Sequence, residues 1–173
     1  MTEFDGATGF DGVAILEVLR RHGVQFVLIG GFAAAAQGSP LPTTDVDIVP
    51  ASDRGNYARL SAALTELDAH LRAEGVEPLP FSHDADSLAA VQTWNLTTKY
   101  GDLDITALPT GTQGYDDLRR DALTISLRGV EVQLASLADI VRSKEAAGRD
   151  KDRRALPVLR ELVARQLRER RDS

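Results

Sequence analysis

Residues 27–49 read VLIGGFAAAAQGSPLPTTDVDIV, and the rest of the chain is organised around this stretch. An apolar strand runs into Gly30-Gly31 and an alanine-rich helical segment, and the chain then returns through a Gly/Pro/Ser/Thr loop to a second strand carrying two aspartates. Asp45 and Asp47 are two positions apart, so on a strand both side chains leave from the same face. A buried strand in a mixed sheet reads as nearly continuous apolar sequence, and two carboxylates on one face repel unless a cation sits between them. Oxygen-only ligands suit magnesium, which keeps several waters and accepts one or two carboxylates together with phosphate oxygens. Gly30 and Gly31 open a helix after a strand, an arrangement that lets backbone N–H groups approach a phosphate.

The whole chain of 173 residues fits one compact domain, with a sheet-containing core at 1–135 and C-terminal helices at 136–173. No run of eighteen apolar residues and no charged-then-apolar leader is present, so a cytoplasmic protein with no membrane contact is expected. The chain has no cysteine, which removes disulfides, thiolate nucleophiles and thiolate zinc sites together. His22, His70 and His83 show no metal-ligand spacing, and a Ser-His-Asp hydrolase is not expected. The net charge of −6 is unevenly spread. Residues 142–173 hold eleven Lys/Arg against six Asp/Glu, net +5, whereas residues 1–141 hold nine against twenty, net −11. The basic tail fits either a phosphate-bearing partner or a solvated amphipathic helix.

Hydrophobic periodicity places a helix at 11–21, a strand at 25–29, a short helix at 32–37 and a strand at 46–49. A covering helix is expected over 56–73, where Leu60, Ala63, Leu64, Leu67 and Leu71 recur three and four apart behind a capping Asp53. Residues 75–86 carry two prolines and no period, and read as a surface loop. Strands are expected at 91–99 and 103–107 around a Tyr100-Gly101-Asp102 turn, and a hairpin at 123–127 and 130–134 around Arg128-Gly129. Ser136 caps a helix to 146, and a last helix spans about 150–170. Asp104 has the same apolar flanks as Asp45 and Asp47 and would complete a metal-binding triad. Asp102 competes for that role, but belongs more naturally to the turn.

An apolar residue, Gly30-Gly31, thirteen residues, then Asp45-Val46-Asp47 followed by Ile48 and Val49 resembles the signature of the DNA polymerase β-like nucleotidyltransferase superfamily. Residues 135–156, ASLADIVRSKEAAGRDKDRRAL, resemble the Lys-Glu-Ala-Ala-x-Arg-x-Lys-Asp segment of nucleotidyltransferase-like toxins of the AbiE/MenT type. The resemblance implies an α/β fold, a small mixed sheet flanked by helices, and an antitoxin as partner. It also implies that Asp45 and Asp47 hold magnesium, that Thr43 lies beside the triphosphate, and that Lys144 and Asp152 complete the active site. The family's loop often carries an arginine where this chain has Leu41.

The chemistry expected is transfer of a nucleoside monophosphate from an NTP to an acceptor hydroxyl, with two magnesium ions clamping the triphosphate. In that scheme Asp104 lies nearest the attacking hydroxyl, Lys144 meets the leaving pyrophosphate, and Asp152 orients Lys144 or the acceptor. The acceptor expected is the 3′ end of RNA, tRNA above all, which makes the protein a toxin. Alternatives are a small-molecule nucleotidyltransferase of the aminoglycoside-modifying kind, and a binding module with a decayed site.

Overall fold

A computed structural model describes residues 9–173. In chain order the elements are α1 Gly12–Arg21, β1 Phe26–Ile29, α2 Gly30–Ala36, β2 Asp45–Pro50, α3 Arg54–Glu66, β3 His70–Ala73, β4 Val76–Leu79 and α4 Ala85–Ala89. They continue with β5 Thr93–Thr98, β6 Gly101–Thr106, α5 Tyr115–Arg120, β7 Leu123–Leu127, β8 Val130–Leu134, α6 Leu137–Ala147 and α7 Asp150–Arg171. The fold is α/β: one mixed sheet in the order β4-β3-β5-β6-β2-β1-β8-β7, flanked by helices. Among the described residues, no helix is long and apolar enough to cross a membrane.

The centre of the sheet sets up everything that follows. β1 and β2 are antiparallel, joined through α2, and β2 then runs parallel to β6 while β1 runs parallel to β8. Along β2, Val46 and Ile48 are fully buried and alternate with Asp45 and Asp47; along β6, Leu103 and Ile105 alternate with Asp102 and Asp104 in the same way. Period-two alternation therefore puts the apolar set into the core and all four carboxylates on the other face. Asn56 in α3 is buried and satisfied by backbone: its amide donates to the carbonyls of Gln25 and Ala51, and its oxygen accepts from the Gln25 N–H. It fixes α3 against the ends of β1 and β2.

Four local expectations differ from the observed chain. The covering helix stops at Glu66 rather than running to 73, because Leu67 caps it and Asp68 takes a left-handed φ of 52°. Residues 70–73 instead form β3, paired with β5 at His70↔Thr97 and Leu71↔Leu96. Leu71 kept the helical spacing of Leu64 and Leu67 by coincidence of burial, and tertiary pairing overrides it. The segment 75–86 is not simply a loop: Gly75 turns the chain into edge strand β4, and Asp84 with Ser87 forms a capping box that starts α4. Pro78 is compatible with an edge strand, where one missing donor is tolerated. The β5–β6 turn falls at Lys99-Tyr100, so Gly101 and Asp102 lie within β6. Finally, Gly30 and Gly31 are the first two residues of α2 itself rather than a turn that precedes it.

Candidate active site

Register builds the site before any side-chain detail. The β2–β6 pairing places Asp45 opposite Asp102 and Asp47 opposite Asp104, and the β1–β2 pairing places Ile29 opposite Asp47. Four carboxylates thus form a two-by-two block on one face of the sheet. One oxygen each from Asp45, Asp47 and Asp104 lie within 4.8 Å of one another. Asp102 is turned aside, accepting from the Thr97 hydroxyl at 3.0 Å and facing Arg72 Nη1 at 3.4 Å. Directly over Asp47 is Gly30, whose φ of +74° suits glycine and whose missing side chain leaves space for the carboxylate.

The electrostatics follow from this crowding. Burial pushes the Asp47 carboxyl up to about 7, helped by the charges of Asp45 and Asp104 and opposed by Lys151 and Lys144. Burial also raises Asp104 above the usual carboxylate range, against the hydrogen bond and charge of Arg72. Three close carboxylate oxygens form a donor set suited to a hard divalent cation such as magnesium, whose charge would offset theirs.

The opposite wall is cationic. Lys144 on α6 lies 3.5 Å from Asp152 Oδ1, and Asp152 at the start of α7 is 0 % exposed. Asp152 also accepts from the backbone N–H and guanidinium of Arg149. Burial alone would raise its pKa, but these Arg149 hydrogen bonds and the nearby charges hold it below the usual range. Lys151 faces the cleft from the first turn of α7. Thr43 donates to the carbonyl of Asp45 at 3.2 Å and packs beside Gly31.

One open cleft of about 1230 Å³ brings together Gly30, Gly31, Thr43, Asp45, Asp47, Asp104 and Lys144. Asp152 is not part of its wall; it sits behind Lys144 and Arg149, both of which line the cleft. Sequence reasoning missed Arg72 and Lys151. Arg72 was hidden inside a stretch with helical spacing, and no local signal set it apart from other surface arginines. Lys151 stood within the Lys-Asp pair of the C-terminal segment and carried no assigned role.

No protein-family model and no curated protein matches the sequence. Solved structures do match in fold. A protein of Thermotoga maritima, described as a candidate nucleotidyltransferase, aligns with a TM-score of 0.54 at 19% identity, covering 84% of this chain and 87% of its own. The lincosamide antibiotic adenylyltransferase LnuA, in its lincomycin-bound structure, aligns with a TM-score of 0.58 at 13% identity, covering 87% of this chain and 94% of its own. The chain therefore has a fold shared with nucleotidyltransferases.

Proposed function

We propose that this chain is a metal-dependent nucleotidyltransferase that moves a nucleoside monophosphate from an NTP to an acceptor hydroxyl. The observation that carries this reading is the convergence of Asp45, Asp47 and Asp104 within 4.8 Å beside the opening of α2, in the large cleft of a nucleotidyltransferase-like fold. Asp45, Asp47 and Asp104 hold magnesium, which when bound supplies positive charge against the triphosphate. Gly30 and Gly31 give the phosphates close access to backbone, and Thr43 braces the loop before Asp45.

In the reaction the acceptor oxygen forms a bond to the α-phosphorus. The bond from that phosphorus to the β-phosphate oxygen breaks, and pyrophosphate leaves with the electron pair. Asp104, at the edge of the triad nearest β5, takes the proton of the hydroxyl. Lys144 meets the charge that builds on the leaving pyrophosphate, and Asp152 with Arg149 holds Lys144 in place. Asp152 is thereby a positioning residue.

For the acceptor we favour the 3′ end of RNA, with tRNA foremost, and a role as the toxin of a pair restrained by an antitoxin protein. Support comes from the resemblance of residues 135–156 to such toxins and from the basic α7, whose first turn borders the cleft. A small-molecule acceptor is the second reading, favoured by the lincomycin-bound neighbour aligned over 94% of its length. Incubation of the protein with labelled NTPs and either total RNA or a set of lincosamides and aminoglycosides separates the two. Label on RNA supports the first, label on a drug the second, and no transfer with any acceptor points to a binding module with a decayed site.

A further inference from the structure

Arg72 reaches the carboxylate block from two strands away. Its Nη1 donates to the carbonyl of Leu96 on β5 at 2.6 Å, and its Nη2 donates to Asp104 Oδ1 on β6 at 2.5 Å. Nη1 also lies 3.4 Å from Asp102 Oδ2. The side chain is 29% exposed and that of Asp104 16%, so the contact is largely shielded from water. A guanidinium with a rigid fork of donors thus spans the width of β5 and is tied at both ends.

The backbone presents Arg72 to the carboxylate block as well. β3 pairs β5 at His70↔Thr97 and Leu71↔Leu96, and β5 pairs β6 at Asn95↔Asp104, so regular period-two alternation puts Arg72 on the carboxylate face beside Asp104. The Arg72–Asp104 contact engages Oδ1 alone.

Resting on the nucleotidyltransferase reading, we propose that Arg72 is a positioning residue that fixes the Asp104 carboxylate for metal binding, presented to it by the regular alternation of β3. Partners that hold a metal-ligating carboxylate from behind contribute to affinity because the ligand is fixed before the ion arrives. A plain counter-ion acts in the opposite sense. If Arg72 merely offset excess acid, its loss would leave the block more negative and would tighten cation binding.

The test is Mn²⁺ binding in the absence of nucleotide, followed by electron paramagnetic resonance of free Mn²⁺ and by calorimetry. Arg72→Gln is expected to weaken Mn²⁺ binding about tenfold, and to do so only while Asp104 is present, with no further loss in an Asp104→Asn background. Arg72→Lys keeps the charge but cannot meet Leu96 and Asp104 as a fork, and is expected to bind Mn²⁺ at least about threefold more weakly than the parent while keeping its melting temperature. Unchanged or tighter binding in both Arg72 variants would overturn the inference and leave the metal reading standing. A parent that shows no saturable Mn²⁺ binding would overturn the metal reading and this inference together.

Discussion

A β-carbon on Gly30 would stand 2.2 Å from Oδ2 of Asp47. The helix that begins at Gly30 and the strand that carries Asp47 are therefore fitted to one another without room for a methyl group. The same glycine has a φ of +74°, where any other residue is strained by about 1–2 kcal/mol.

Gly30→Ala should accordingly displace the Asp47 carboxylate. We expect a lowered melting temperature and transfer slowed by on the order of a hundredfold, the cost of misplacing a reacting group by about an ångström. Gly31→Ala is the comparison for the fold alone: its β-carbon would lie 3.3 Å from Thr43 Oγ1, a small shift of the threonine accommodates it, and its melting temperature should stay near that of the parent. Melting temperatures of both variants and the steady-state rate of Gly30→Ala decide it, and a fully active Gly30→Ala would remove Asp47 from the reacting centre.

Asp47 links the site to stability. Its carboxyl titrates near 7 in the fold, raised chiefly by burial, against 3.8 in the unfolded chain. The folded state therefore binds the proton more tightly, so this contribution is complete below the unfolded value and is lost as pH rises through about 7. In chelator the parent should lose on the order of 1–3 kcal/mol between about pH 5 and 8, and Asp47→Asn should show a flatter profile while losing transfer altogether. Chemical denaturation across that pH range measures it. A parent profile as flat as that of the variant would contradict the burial and repulsion assigned to Asp47, and full transfer activity in the variant would sink the catalytic reading.

Lys144 and Asp152 should separate in their effects. Lys144→Ala removes a cation from the cleft wall and is expected to slow transfer about a hundredfold, roughly 3 kcal/mol of transition-state stabilisation, with NTP binding only weakened. Asp152→Ala removes the acceptor of the Arg149 backbone N–H and the shared partner of Arg149 and Lys144, and should also destabilise the fold by about 1–3 kcal/mol. In bacteria, expression of the parent should arrest growth and Lys144→Ala should not. Arrest that persists in the variant would trace toxicity to something other than transfer.

The basic face of α7 makes a salt-dependent prediction. Arg165, Arg168 and Arg171 are exposed near its C-terminal end, and Arg168 is offset only by a surface pair with Glu161. If RNA is the acceptor, charge reversal at the three should lower affinity and flatten its dependence on salt, each lost phosphate contact removing about one unit of the logarithmic slope. Filter binding from low to physiological salt gives the slope, and an unchanged value would leave α7 a solvated helix.

The strand-Gly-Gly-helix-strand unit was legible because its signals are local: apolar runs, glycines and an alternating Asp-Val-Asp. The flanking elements α1, β7, β8, α6 and α7 were legible for the same reason, each having a clear period and a cap or turn. Residues 67–86 were not, because β3 is held by pairing with β5, which lies beyond α4 in the chain, and its Leu71 happens to keep helical spacing from Leu64 and Leu67. That error carried Arg72 with it. The choice between Asp102 and Asp104 rested on placing Asp102 in a turn, whereas β6 includes both, and it is the Thr97 hydroxyl and Arg72 that draw Asp102 aside. Lys144 and Asp152 were found through a resemblance, and their ion pair depends on how α6 turns into α7 at Gly148, where φ is +61°.

Asp47 and Asp104 are neighbours across a parallel pair of strands yet lie 57 positions apart in the chain. Parallel pairing has no tight-turn shortcut, so the ends of that long segment must meet at a loop-closure cost of roughly 3–4 kcal/mol before their contacts give anything back. The triad is thus among the more topologically demanding parts of the molecule to assemble, and during synthesis it has to wait for β6 to leave the ribosome, with Lys144 following later still. A nascent chain carrying only the β1–α2–β2 unit holds two of the three clustered aspartates and lacks the strand that brings the third.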